Sequence, residues 1–174
     1  PLTGLYNRRY ALPRLTEIAR DAMREKDSFA VMALDLDRFK RINDCHGHAS
    51  GDAVLRDVAA RLEAVIGSSG ITARLGGEEF LAVLPGVGER EAWTRAEEVR
   101  RVVEARPVML PDLSGGGHVG ITLSAGVAIG RCVSATFQPE RLAEMSLERA
   151  DRALMSAKAL GRNRVMLAQA EHAA

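Results

Sequence analysis

Residues 28–37, "SFAVMALDLD", place six consecutive apolar side chains ahead of an Asp-Leu-Asp ending. A short apolar run without a polar face reads as a strand buried inside a sheet, and its ending delivers Asp35 and Asp37 to the C-terminal edge of that sheet. Such a strand needs cover, and the flanking sequence supplies amphipathic helices. "RRYALPRLTEIARDAMREK" sets Tyr10, Leu12, Leu15, Ile18, Ala19 and Met23 mostly three or four apart and ends before Ser28. "RFKRINDCHGHA" reads as a short helix and a loop, after which Ser50 caps "SGDAVLRDVAARLEAVIG", a helix with Val54, Leu55, Val58, Leu62 and Ile66 on one face and a stop at Gly67.

"ITARLGGEEFLAVLPG" predicts two strands joined by a Gly76-Gly77 connection, since such turns need positive φ. "EREAWTRAEEVRRVVEA" is a helix with Trp93, Ala96, Val99, Val102 and Val103 as its buried stripe. A flexible "SGGGH" loop precedes the strand "ITLSAGVAIG"; the helix "PERLAEMSLERADRALMSAKALG" stops at Gly161, and "RVMLA" closes the fold before a frayed tail at 169–174. Strands paired through a hairpin and interspersed with helices predict an α+β fold, with helices packed on a central, mostly antiparallel sheet of about five strands.

At 174 residues the chain fits one domain, and a formal charge of +1 offers no basic excess for a nucleic-acid polymer. Cys45 and Cys132 follow no zinc or disulfide spacing, which suits a reducing cytosol. No apolar run approaches the roughly 20 residues that span a bilayer, so no direct membrane contact is expected.

If the hairpin lies beside the Asp-ending strand, Glu78 and Glu79 converge with Asp35 and Asp37. Convergent carboxylates suit a hard divalent cation that shares its coordination with substrate phosphates, while the glycines let phosphate approach the turn. Taken singly, each feature has a plainer reading. The Gly-Gly-Glu-Glu turn fits a solvated hairpin, the acid pair fits a loop start, and Lys158 and Arg162 fit cations complementing a helix dipole.

Together, "LTGLYNRR" at 2–9, "DLDRFKRIND" at 35–44, "GHASGD" at 47–52, "RLGGEEF" at 74–80, "LSAGVA" at 123–128 and "ADRALMSAKALGRNRV" at 150–165 resemble the GGDEF domain of diguanylate cyclases, in order and spacing. The resemblance covers residues 1–168 and implies a palm-like architecture with a ferredoxin-like core, as in nucleotidyl cyclases and polymerases. It also implies that two GTP molecules become cyclic di-GMP and two pyrophosphates, at a transient homodimer with Mg²⁺ or Mn²⁺ as cofactor. By the same resemblance Asp35, the Leu36 carbonyl and Glu78 are metal ligands; Glu78 also takes the proton of the attacking hydroxyl, and Glu79 completes the catalytic acidic pair and is the ligand expected for a second metal. Phe39 and Lys40 form the phosphate turn, with Lys40 offsetting transition-state charge. Asn43 and Asp52 read guanine with His48 in the same loop, Gly76 and Gly77 lie against the nucleotide, and Lys158 and Arg162 grip phosphate.

Three departures from the family pattern accompany the match. The signature reads GGEEF, which keeps the carboxylate, and His46 stands where an aromatic is usual. The family's Arg-x-x-Asp product-inhibition site is missing, with Gly67 and Gly70 at its charged positions. The chain starts one residue after the family's opening Asp, so an N-terminal sensory or regulatory domain is expected upstream, in a protein whose catalytic part is cytoplasmic. The reading from a different class is a silent domain that binds GTP or cyclic di-GMP without turnover.

Overall fold

The computed structural model describes residues 2–111, 117–132 and 137–169. In chain order these form β1 (Tyr6–Asn7), α1 (Arg8–Glu25), β2 (Ser28–Leu36), α2 (Phe39–Ile66), β3 (Ile71–Gly76), β4 (Glu79–Pro85), α3 (Glu89–Ala105), β5 (Val108–Met109), β6 (His118–Val119), β7 (Leu123–Arg131), α4 (Pro139–Ala159) and β8 (Val165–Leu167), with a short 3₁₀ turn at Gly67–Ser69. The frayed tail, apart from Gln169, and residues 114–116 of the "SGGGH" loop lie outside the described residues. No described helix is long and apolar enough to cross a membrane.

The apolar run is the centre of the sheet. All nine residues of β2 are buried, and the strand pairs antiparallel with β4 on one side and along its whole length with β7 on the other. Alternation divides its side chains between two cores. Ala30, Met32, Leu34 and Leu36 pack with α2 and α3, while Phe29, Val31 and Ala33 pack with α1 and α4. Helices therefore cover both faces, which is why β2 carries no polar alternation.

The sheet is six-stranded in the order β1-β3-β4-β2-β7-β8, and β5 with β6 makes a separate two-stranded ribbon. The expected α+β class and antiparallel centre hold, but β1 joins β3 and β8 joins β7 in parallel, so the sheet is mixed at its edges. The parallel β8 follows from the α4 crossover, which returns the chain in the direction of β7. Helix α4 lies directly on β7: a Cβ added to Gly126 would fall 2.0 Å from the Ala150 carbonyl oxygen and 2.2 Å from the Leu154 nitrogen. Any side chain there would push α4, and with it Lys158, away from the sheet.

Three local expectations change, while the expected break between a short helix and a second one holds at Gly47, whose φ of 79° and ψ of 166° are not helical. Ser50 does not cap the second helix; its buried hydroxyl donates to the His46 carbonyl at 2.8 Å, across that break. The buried stripe of α3 is Ala92, Ala96, Val99 and Val103, leaving Trp93 41% and Val102 37% exposed. In α1, Ala11 and Ala22 are buried and Tyr10 is exposed. Small residues at both interfaces let the helices approach the sheet closely, which displaces the large side chains to the rim.

Candidate active site

The end of β2, the β3–β4 turn, the start of α2 and the end of α4 meet at one edge of the sheet. Asp35 stands opposite Glu79 on β4 and Ser124 on β7. One residue on, the Leu36 N–H donates to the Glu78 carbonyl at 3.3 Å, which fastens the turn to the strand end. The turn differs from the expected Gly-Gly connection. Gly76 still pairs with Glu79, so the two-residue tip is Gly77-Glu78, and Gly77 supplies the left-handed φ of 51°. The Arg74 Nε–H donates to the Gly77 carbonyl at 2.9 Å. A Cβ built on Gly76 or Gly77 would meet no protein atom within 4 Å, so the glycine surface faces open space.

Asp35 is buried, and its Oδ2 forms an ion pair with Lys158 Nζ at 2.7 Å. Burial pushes its carboxyl above the ordinary range; Lys158 opposes that shift, and the charges of Glu78 and then Asp37 add to it. Asp35 and Glu78 are thus electrostatic neighbours, with a cation already balancing the buried charge. Glu79, opposite Asp35 on β4, also lies within electrostatic reach of Asp151 on α4, whose carboxyl is raised first by desolvation and then by Glu79, against Arg8. Among the described residues no three His, Cys, Asp or Glu side chains converge as a ready-made metal cage. What the edge offers is a pair of hard carboxylates and exposed backbone beside them, a donor set that suits Mg²⁺ or Mn²⁺ completed by water and phosphate oxygens.

Asp37, the second acid of the strand end, has a different task. Its Oδ1 accepts from Ser124 Oγ at 2.7 Å, and its Oδ2 accepts from Thr122 Oγ1 at 2.7 Å and from the Asn163 N–H at 3.0 Å. It joins β2, β7 and the turn after α4. That turn holds Arg162 and Asn163 at φ 65° and 47°, and the Asn163 side chain accepts from Arg100 at 2.8 Å and donates to Glu104 at 2.7 Å. Arg162 is therefore presented by a strained segment that α3 and Asp37 hold in place.

At the other end of the site, Phe39 is buried under the first turn of α2 and Lys40 is exposed. Asn43 is half-buried against Gly51, where an added Cβ would lie 1.9 Å from Asn43 Oδ1. The Gly47 kink brings these two helical segments together, with His48 exposed and Asp52 half-buried beyond it. Reading the sequence missed Gly51, Asp37 and Asn163 as positioning residues. Gly51 and Asn163 lay inside the quoted segments, but nothing in their spacing signals a contact.

Comparison with known proteins places this edge in context. A family described as "Diguanylate cyclase, GGDEF domain" matches residues 1–164. The response regulator PleD of Caulobacter vibrioides is 37% identical over 165 residues, 95% of this chain and 35% of PleD, so the chain spans about a third of that relative. Among solved structures, the GGDEF domain of DgcB from Caulobacter crescentus, in complex with c-di-GMP, matches with a TM-score of 0.86 and 34% identity over 98% of this chain and 92% of that one. The active GGEEF domain of a diguanylate cyclase from Vibrio cholerae, which shares the Glu-Glu signature, matches with a TM-score of 0.80 and 30% identity over 96% and 99%. The chain belongs to the GGDEF-domain family of diguanylate cyclases.

Proposed function

We propose that the chain condenses two GTP molecules into cyclic di-GMP and two pyrophosphates, each 3′-hydroxyl attacking the α-phosphate of the other nucleotide in line. The observation that carries this reading is the buried Asp35 carboxylate beside the Gly77-Glu78 tip, with the Lys158 ammonium at 2.7 Å. Asp35, the Leu36 carbonyl and Glu78 would hold Mg²⁺ or Mn²⁺, with Glu79 as the second acid of the signature. When bound, that cation neutralises triphosphate charge and activates the α-phosphate toward attack.

The rest follows from the chain's own side chains. Gly76 and Gly77 leave room for the nucleotide to lie on the turn, where a Cβ would intrude. Asn43 and Asp52 pair with the guanine edge, with His48 beside them, and Phe39 and Lys40 form the turn around the phosphates. Glu78 accepts the proton of the 3′-hydroxyl, and Lys40 offsets charge on the leaving pyrophosphate. Lys158 exchanges Asp35 for a phosphate oxygen, and Arg162 grips the same chain of phosphates. One copy supplies half of the reaction, so two GTP-loaded copies must meet face to face in a transient homodimer, and an N-terminal sensory domain would set how often they do.

Product feedback through the Arg-x-x-Asp site is absent from this reading. A Cβ on Gly70 would fall 2.2 Å from the Val83 carbonyl oxygen, leaving no space for an acidic side chain. Incubating the chain with GTP and Mg²⁺, then separating nucleotides by chromatography, tests the proposal. Cyclic di-GMP and pyrophosphate in a 1:2 ratio are expected; bound but unconverted GTP would instead assign a receptor role.

A further inference from the structure

The sheet ends at β8, and the outer side of that strand is open. Toward β7, the Ala125 N–H donates to the Arg164 carbonyl at 2.9 Å and the Ala168 N–H to the Val127 carbonyl at 2.7 Å. With Gly126 paired to Met166 between them, the N–H and C=O groups of Val165 and Leu167 point away from the sheet, because successive strand residues alternate in bonding direction. Among the described residues no strand pairs with them. Val165, Met166 and Leu167 are half-buried and carry none of the charges, prolines or bulges that blunt an edge, so only the three-residue length of β8 limits pairing.

A groove of about 470 Å³ lies between this edge and α4, lined by Arg149, Arg152, Ser156, Met166 and Leu167, with no acidic residue in its walls. The Arg149 guanidinium donates to the Ile129 and Gln169 carbonyls, each at 3.0 Å, neutral acceptors that fix its place without balancing its charge. Its Nε is buried without a hydrogen-bond partner. Arg152 is exposed, and among the described residues neither guanidinium has a carboxylate within ion-pair distance. The groove therefore leaves three things unmet: main-chain partners for Val165 and Leu167, cover for Met166 and Leu167, and carboxylates for two arginines. A single ligand can meet all of them.

We propose that this edge docks an extended acidic segment of a partner protein, which adds to β8 as the seventh strand of the sheet and lays carboxylates on Arg149 and Arg152. Side chains on one face of a strand are about 7 Å apart, and arginines three positions apart on a helix are about 4.5 Å apart along its axis, a difference their long side chains span. Main-chain bonds supply affinity, and the two guanidinium groups select for acid. A second copy of this chain fits worse, because pairing β8 with β8 would turn these arginines toward each other and leave all of them without a counter-charge. None of these residues is among those assigned to the nucleotide, so the proposal does not rest on the cyclase reading.

Fluorescence anisotropy with a short labelled peptide of alternating glutamate and valine tests this. Saturable binding is expected, weakened about tenfold by Arg152→Ala, the usual loss of one charge-assisted contact. Ala suits an exposed helical position, so that variant should fold. Leu167→Pro removes an outward N–H while keeping the bonds to β7, and should weaken binding by a similar factor. The same peptide N-methylated on its backbone amides makes the equivalent test on the wild-type chain, and should lose binding, as should a peptide of alternating lysine and valine. Arg14→Ala, on α1 within electrostatic reach of Tyr6 in β1 at the opposite edge of the sheet, should bind as the wild type does. Unchanged affinity in Arg152→Ala, equal binding of the N-methylated peptide, or no binding at millimolar peptide would overturn the proposal. So would loss of peptide binding as the chain self-associates at rising concentration, which would make a second copy the occupant.

Discussion

Gly51→Ala is the substitution whose consequences the geometry specifies most closely. The new methyl would lie 1.9 Å from Asn43 Oδ1, 3.0 Å from Asn43 Cγ and 3.2 Å from Phe39 Cζ. The first two contacts belong to the end of a half-buried, flexible side chain, so Asn43 can swing away and relieve them. Overpacking costs about 1–3 kcal/mol, and replacing a helical glycine by alanine returns up to about 1 kcal/mol. The net loss of stability should be about 0–3 kcal/mol. With Asn43 reading guanine as proposed, function should also suffer, because the displaced amide would leave the guanine edge unpaired at a cost of about 1–3 kcal/mol, or about 5- to 150-fold in GTP affinity. Thermal denaturation and equilibrium GTP binding measure the two effects separately. An Asn43→Ala background provides the cycle. There Gly51→Ala should stabilise the chain and leave GTP affinity where Asn43→Ala alone put it. Wild-type GTP affinity in Gly51→Ala, or an undiminished stability penalty in the Asn43→Ala background, would refute the assignment of Asn43 and its glycine support.

Arg100→Met should cost about 1–3 kcal/mol, since Glu97, only 15% exposed, loses both Arg100 contacts and keeps only Arg101 at 3.0 Å. The Arg100 hydrogen bonds hold the Glu97 carboxyl below its ordinary value of 4.5. Stability from this pair is therefore complete above that value and lost as pH falls through the lowered one, so the melting temperature of Arg100→Met should fall less steeply below pH 4.5 than that of the wild type. Gly70→Asp should destabilise by about 3 kcal/mol, because the added Cβ meets Val83 backbone at 2.2 Å and 3.1 Å. Gly67→Arg meets open space but must adopt φ 47° and ψ −137°, backbone outside the left-handed helical well that side chains rarely reach, at about 1–3 kcal/mol, and chemical denaturation of each variant measures its cost. With Asp52 accepting from guanine as proposed, ATP should be a poorer substrate than GTP by about 10²-fold or more, because adenine cannot donate from those positions; comparable rates in a coupled pyrophosphate assay would remove Asp52 from that role.

The parts of the fold legible in the sequence are those whose burial leaves a local pattern. The unbroken apolar run of β2 and the three-four spacing through Val54, Leu55, Val58 and Leu62 are set by burial along one element, and they survive intact. The parallel edges are not visible because β1 is two residues long and the pairing of β8 depends on where α4 returns the chain. Trp93 misled for a physical reason: α3 lies close to the sheet through Ala92 and Ala96, and a close interface excludes the large ring. At the site, the acids could be found by type, but their division of labour could not. Asp35 and Asp37 are two positions apart, yet one pairs with Lys158 while the other is fixed by a backbone N–H from residue 163. Glu78 and Glu79 are adjacent, yet only the first belongs to the turn tip. Those differences come from contacts between distant segments, which no local spacing encodes.

The most direct test of the central claim compares cyclic di-GMP formation by the wild type with that of Asp35→Asn and Glu78→Gln, alongside their denaturation midpoints. Burial already raises the Asp35 carboxyl against the pull of Lys158, so its folded form takes up a proton more readily than the unfolded chain. Stability then declines as pH rises through that window, and a neutral Asn at this position should fold at neutral pH at least as stably as the wild type. The expected result is product from the wild type, none from either variant, and no loss of stability in Asp35→Asn. Substantial product from either variant, or none from the wild type at any protein concentration, would contradict the account.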